Sequence, residues 1–256
     1  MSTVSPQQRY YRPHLADRLP GLVLAQSTRH GGVSEPPYAS LNLSLHTDDT
    51  TAAVLENRRR LCEALHIAPE RLCGGHQVHG DQVKQVTVPG YWQGYDAFIT
   101  DQPDLYLSVS VADCTPVLIV DPVRRAVGAA HAGWRGTVAH IARSTVTAMQ
   151  TAYGTDPADC YAYIGTCIDE CSYAVDADVA DHFPGAHKRW DDNQQKYFID
   201  LKATNRQALL RVGVPEDHIE VSPYCTFVQN KDYFSHRFER GTTGRGLAVV
   251  GWRREI

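Results

Sequence analysis

Three short segments carry the residue types with the most chemistry: His76-Gln77-Val78-His79-Gly80, Asp113-Cys114-Thr115-Pro116 and His131-Ala132-Gly133-Trp134-Arg135-Gly136. One thiolate and two imidazoles form a three-ligand set suited to zinc, with the fourth position open to water. His79, Cys114 and His131 make a catalytic metal site if they meet in space. His76 and His79 stand three residues apart, only one of them needs to be a ligand, and spacing alone leaves the choice open. Thr115-Pro116 disfavours helix, which puts Cys114 at an irregular strand end. His131 ends a second apolar run just before a Gly-flanked turn. A Cys and a His at the ends of neighbouring strands share one sheet edge.

The elements that must hold these residues follow from periodicity. Leu105–Val111, Val117–Val120 and Ala126–Ala130 read as strands, with a tight turn at Asp121-Pro122. A helix is expected from about Thr137 to Tyr153. Gly74-Gly75 and the β-rich Val83–Val88 place the two histidines in a loop. Leu22–Ala25 and Tyr161–Ile164 also read as strands, as do Val221–Val228 and Leu247–Trp252. Helices are expected over Thr51–His66, near Ala177–Phe183 and over Leu201–Val212, the first capped by Asp48 or Asp49. Mixed hairpin-length and helix-length connections indicate α+β with mixed sheets rather than a purely parallel sheet.

The chain has 256 residues, 43% apolar and 21% charged, with a formal net charge of −4. That suits one domain over residues 21–256 behind a partly extended lead-in, residues 1–20. Lys and Arg are dispersed, so no basic footprint for nucleic acid exists; the run Arg58-Arg59-Arg60 reads as a solvated helix face. The polar start lacks the pattern of a signal peptide, and no apolar run reaches the ~20 residues that cross a bilayer. Seven irregularly spaced cysteines indicate reduced thiols in a cytoplasmic compartment. Cys167 and Cys171 read as structural thiols.

The chain resembles the YfiH, or laccase-domain, family, also described as polyphenol-oxidase-like. The resemblance rests on the three opening segments and on Thr28-Arg29-His30-Gly31-Gly32-Val33-Ser34, Leu41-Asn42-Leu43-Ser44, Glu56-Asn57-Arg58-Arg59-Arg60-Leu61, Ile164-Gly165-Thr166-Cys167-Ile168 and Phe234-Ser235-His236-Arg237, in family order. It implies that His79, Cys114 and His131 form the metal and catalytic centre, and that the fold is a layered α/β/β/α domain. Thr166 departs from the family, which has Pro there. The implied activity is phosphorolysis of adenosine, inosine, guanosine and methylthioadenosine, with deamination of adenosine. Partners are then a purine nucleoside and phosphate, acting on a monomer or small homo-oligomer.

The family's older description implies copper, but the residues favour zinc. Blue-copper oxidases build a mononuclear site and a three-copper cluster from many His-x-His pairs, and this chain has 12 histidines without one such pair. A single Cys/His₂ set accepts copper yet does not by itself manage four-electron oxygen reduction. Zinc lowers the pKa of a bound water to roughly 7, as attack on a purine ring carbon requires. Phosphate needs a guanidinium fork, and the candidates are Arg29, Arg237 and Arg245. Asn42 is a candidate for ribose or phosphate, Trp134 for base stacking and Asp113 for general acid–base work. The competing functions are a metal-free Cys-His amide hydrolase acting on cell-wall precursors, a copper phenol oxidase, and a zinc-binding interaction module.

Overall fold

The runs of β-branched and aliphatic residues close into two six-stranded sheets that face each other. The computed structural model describes residues 8–254; residues 1–7 of the expected lead-in and residues 255–256 lie outside the described residues. The first sheet has the order Tyr10–Tyr11, Leu22–Ser27, Gly246–Trp252, Tyr106–Val111, Leu72–His76, Tyr91–Gln93. The second runs Ile219–Val221, Tyr161–Ile164, Thr115–Asp121, Ala126–Ala132, Ala97–Thr100, Val83–Gln85. Both are mixed: the first is antiparallel from Tyr10–Tyr11 through Tyr106–Val111 and parallel beyond it, and the second is antiparallel inside with a parallel pair at each edge.

Alternation along the strands builds the layers. Leu118 and Val120 face inward with Phe98, Ala129 and Tyr163, against Leu24, Leu107, Val109 and Val250 of the first sheet. Val117 and Ile119 face outward and meet Ile141, Val146 and Met149 of the helix Ile141–Tyr153 and Leu209 of the helix Leu201–Val212. On the far side, Leu61, Cys62 and Leu65 of the helix Thr51–Ala64 and its end cover Val23, Ala25 and Val249. The fold is therefore α+β, one helix layer on each outer face of paired mixed sheets. Strands buried on both faces carry continuous apolar runs.

Several expected boundaries move, each for a local reason. The helix Thr51–Ala64 is capped by Thr50, whose side chain accepts from the Ala53 N–H; Asp49 instead accepts from the Thr50 N–H at 2.8 Å and from Ser34 and Asn42. The single helix expected from Thr137 splits into Trp134–Val138 and Ile141–Tyr153 at His140, whose φ of +60° is left-handed. Gly74 and Gly75 belong to a strand, not a loop: a Cβ on Gly75 would stand 2.3 Å from the Trp92 carbonyl oxygen of the paired strand. The strand expected over Val221–Val228 ends at Val221, because Pro223 interrupts it and Lys202 Nζ takes the Ser222 and Tyr224 carbonyls. In the segment ahead of residue 21, Tyr10–Tyr11 pairs with the first sheet and Leu15 and Ala16 enter the core. No helix among the described residues is long and apolar enough to cross a membrane.

Candidate metal centre

The chain crosses from one sheet to the other between Val111 and Thr115, and Cys114 stands in that crossing. Asp113 makes the corner with a left-handed φ of +89°. Its carboxylate is consumed there, accepting from Thr226 Oγ1 and from the Arg237 N–H, both at 2.6 Å. The expected acid–base role for Asp113 gives way to that of a clasp on the C-terminal loops. His131 lies directly opposite Pro116 in the antiparallel pair, which brings it beside Cys114.

A fully buried carboxylate orders the His131 imidazole and the backbone of the His79 loop. Asp96 Oδ1 accepts from His131 Nδ1 at 2.8 Å and from the His79 N–H at 2.9 Å. Its Oδ2 accepts from the Gly80 and Val78 N–H groups at 2.8 and 3.1 Å, and its carbonyl takes the His131 N–H. Burial pushes the Asp96 carboxyl up, but the His131 imidazole and the loop N–H groups outweigh it and hold it below its usual value. Because Nδ1 of His131 is bound to Asp96, Nε2 is left for the cavity. Gln77 bolts the loop down, donating to the Ser110 carbonyl and accepting from the Ser110 N–H.

The ligand atoms of His79, Cys114 and His131 lie within 4.8 Å of one another. The two rings are 4.8 Å apart and nearly perpendicular. Burial raises the Cys114 thiol, yet the neighbouring His131 and His79 bring it down to about 6. Burial lowers His131, and the Cys114 thiolate and Asp96 bring it up to about 9. His76 goes elsewhere: it bonds Gln93 at 3.0 Å and stacks on His46 at 4.2 Å.

A tetrahedral ion with bonds of roughly 2.0–2.3 Å would set its donors roughly 3.3–3.6 Å apart, so the widest of these separations would have to contract for all three residues to bind one ion. The close space around Gly133 fits this: a Cβ there would lie 3.0 Å from His79 Cδ2 and 3.1 Å from Cys114 Sγ. The donor set, its buried carboxylate partner and its open side together suit a metal ion.

The cluster opens into a cavity of about 500 Å³. Trp134 and Tyr173 give it aromatic walls, and Arg237 and Arg245 line it. Arg29 and Asn42 do not line it. Arg29 spends its guanidinium on the Ala39 and Asn230 carbonyls and on Glu239 at 2.9 Å. Asn42 is fully buried between Thr47, Asp49, the Ser44 N–H and the Arg245 N–H. Both hold loops together, which corrects their expected contact with substrate. Cys167 is buried with its thiol pushed up to about 12, and Cys171 is exposed. Two residues escaped sequence reasoning: Asp96, a lone carboxylate far in sequence from its partners, and Arg58, which turns into the cavity from a run read as solvated.

Residues 23–253 match the family model described as multi-copper polyphenol oxidoreductase laccase. The chain is 41% identical over 255 residues to the purine nucleoside phosphorylase YlmD of Geobacillus stearothermophilus, covering 92% of each. It is 36% identical over 235 residues to the purine nucleoside phosphorylase YfiH of Escherichia coli, covering 90% of this chain and 93% of that one. The crystal structure of YlmD from Geobacillus stearothermophilus matches with a TM-score of 0.90 at 38% identity, over 96% of this chain and 100% of that one. The paired mixed sheets and these matches together place the chain in the YfiH/YlmD family, whose model carries the laccase description.

Proposed function

We propose that this chain is a zinc-dependent purine nucleoside phosphorylase acting on adenosine, inosine, guanosine and methylthioadenosine, and that the same centre deaminates adenosine. The observation that carries the reading is the His79–Cys114–His131 cluster on the wall of a nucleoside-sized cavity, in a chain whose relatives are named purine nucleoside phosphorylases. Zinc is favoured over copper because one such cluster occurs among the described residues, whereas a multicopper oxidase needs further sites. The reading places the protein in the cytoplasm with its nucleoside substrates.

A metal held by these residues supplies Lewis-acid polarisation of an oxygen at the open position. The remaining work falls to the chain. Asp96 fixes the His131 tautomer and the path of the His79 loop. Trp134 and Tyr173 offer aromatic faces to a purine. Arg237 and Arg245 supply positive charge, and the apolar Ile168, Leu201 and Leu247 limit water in the cavity. The test is to purify the protein, count its metal, and supply inosine or adenosine with phosphate. The reading expects about one zinc per chain and release of free base with ribose 1-phosphate; turnover untouched in Cys114→Ser rejects it.

One observation favours a second reading. The low Cys114 thiol, the raised His131 and the orienting Asp96 form a nucleophile–base–orienter set without any metal. A Cys-His amide hydrolase would accumulate a covalent acyl adduct on Cys114 detectable by mass spectrometry, and a phosphorylase would not.

A further inference from the structure

Two arginines on the cavity wall make no salt bridge among the described residues; Asp113 and Glu239 act on Arg245 only from a distance, and both already hold other partners. Arg58 projects from the helix Thr51–Ala64 on the side of Val54, Leu61 and Cys62, and burial lowers its pKa. Its neighbours Arg59 and Arg60 both pair with Glu56. Arg58 instead gives Nε to the Leu43 carbonyl at 2.8 Å and lies 6.0 Å from the centre of the Tyr91 ring. Leu43 also joins it to Arg245, because the Leu43 N–H donates to the Arg245 carbonyl at 3.0 Å. Arg245 spends Nη1 on the Thr243 and Gly244 carbonyls. Both guanidinium groups line the cavity that holds the cluster, and Asp113, the carboxylate in that lining, is already engaged.

Removing a guanidinium from water without a counter-charge is unfavourable. Its planar fork matches the paired oxygens of a phosphate. Beside Arg58, His46 Nε2 and the Tyr91 hydroxyl are 2.7 Å apart, and His46 stacks on His76. His76 is three residues from His79, a span of at most about 11 Å. The basic wall thus stands within reach of a nucleoside seated at the cluster.

We propose that Arg58 and Arg245 clamp inorganic phosphate, with His46 and Tyr91 closing its side, and that the nucleoside lies between this clamp and the His79–Cys114–His131 cluster. The proposal rests on the phosphorylase reading. A phosphate oxygen forms a bond to the sugar carbon C1′ as the C1′–N9 bond breaks. The electron pair leaves on the purine, which takes the proton of hydrogen phosphate, and the products are free base and ribose 1-phosphate.

The test uses zinc-loaded protein with inorganic phosphate as the probe, in calorimetry and in steady-state phosphorolysis. In Arg58→Ala and in Arg245→Ala the phosphate KM and Kd rise at least tenfold, while the nucleoside KM moves less than threefold and zinc content holds. Arg58→Lys recovers part of the loss, and Tyr91→Phe, which keeps the ring under Arg58, shows a smaller rise. Unchanged phosphate KM in both alanine variants, or an equal rise in nucleoside KM, overturns the clamp while leaving the phosphorylase reading intact. Absence of phosphorolysis in the unmodified protein, alongside phosphate binding that depends on Arg58, overturns the phosphorylase reading and leaves the anion clamp standing.

Discussion

At the scale of single residues, the centre depends on one carboxylate that never touches the cavity. Asp96 accepts from His131, His79, Val78 and Gly80 at once. Asp96→Asn keeps the shape but removes the charge and one acceptor oxygen, so zinc affinity should fall about 10–100-fold, read by competition with a chromogenic chelator. Cys114 gives a second expectation. In chelated protein its thiol sits at about 6, so alkylation by iodoacetamide should climb through about pH 6 rather than 9. Cys62 is pushed up to about 11, and Cys160 and Cys167 to about 12, so these stay unlabelled at pH 8 until the protein unfolds. Zinc should protect Cys114 at every pH. The three clustered residues were legible in the sequence, Cys114 and His131 by type and strand-end placement, His79 over His76 only through the family resemblance. Asp96 was not, since it lies 17 residues from His79 and 35 from His131 with no motif between them. Arg29 misled for the opposite reason: a guanidinium in a Gly-rich turn suits phosphate by type, yet Asn230 and Glu239 claim it from 201 and 210 residues away.

At the scale of elements, the site is a meeting of three backbone features: the sheet crossing at Asp113-Cys114, the antiparallel register of Pro116 with His131, and the loop ending in the left-handed His79. The helix Trp134–Val138 begins immediately behind them and is tied to the outer helix layer by Asn205 Nδ2, which donates to Thr137 Oγ1 at 3.0 Å. Gly133→Ala tests this packing. Its Cβ would press on His79 and Cys114 from 3.0 and 3.1 Å, so both side chains must give by a few tenths of an ångström, away from the positions that let them share one ion. Zinc affinity should drop at least tenfold while the far-ultraviolet circular dichroism stays unchanged. The central strands Tyr106–Val111, Thr115–Asp121, Ala126–Ala132 and Gly246–Trp252 were legible from apolar runs, because both their faces are buried, whereas Leu72–His76, Tyr91–Gln93 and Ala97–Thr100 were not read as strands. The ends of elements were not legible either. The left-handed break at His140 and the diversion of carbonyls to Lys202 are tertiary choices, invisible to local periodicity.

At the scale of the whole molecule, paired sheets under outer helices make a rigid frame, and the site uses the seam where the chain changes sheets. Leu118 lies fully buried between the sheets, so Leu118→Ala should cost about 3–5 kcal/mol, seen as a lower urea midpoint. The free cysteines fit the same frame: burial, not bridging, keeps most of them inert. The layered architecture was legible only through family resemblance, since strand order depends on contacts between segments more than a hundred residues apart, such as Leu24 with Val250. The central claim joins this frame to a metal and a reaction, and one measurement tests it most directly: zinc content and inosine phosphorolysis followed together through chelation and reloading. The account predicts about one zinc per chain, loss of ribose 1-phosphate production when zinc is removed, and recovery in proportion to zinc restored. Full phosphorolysis by the metal-free protein would contradict it.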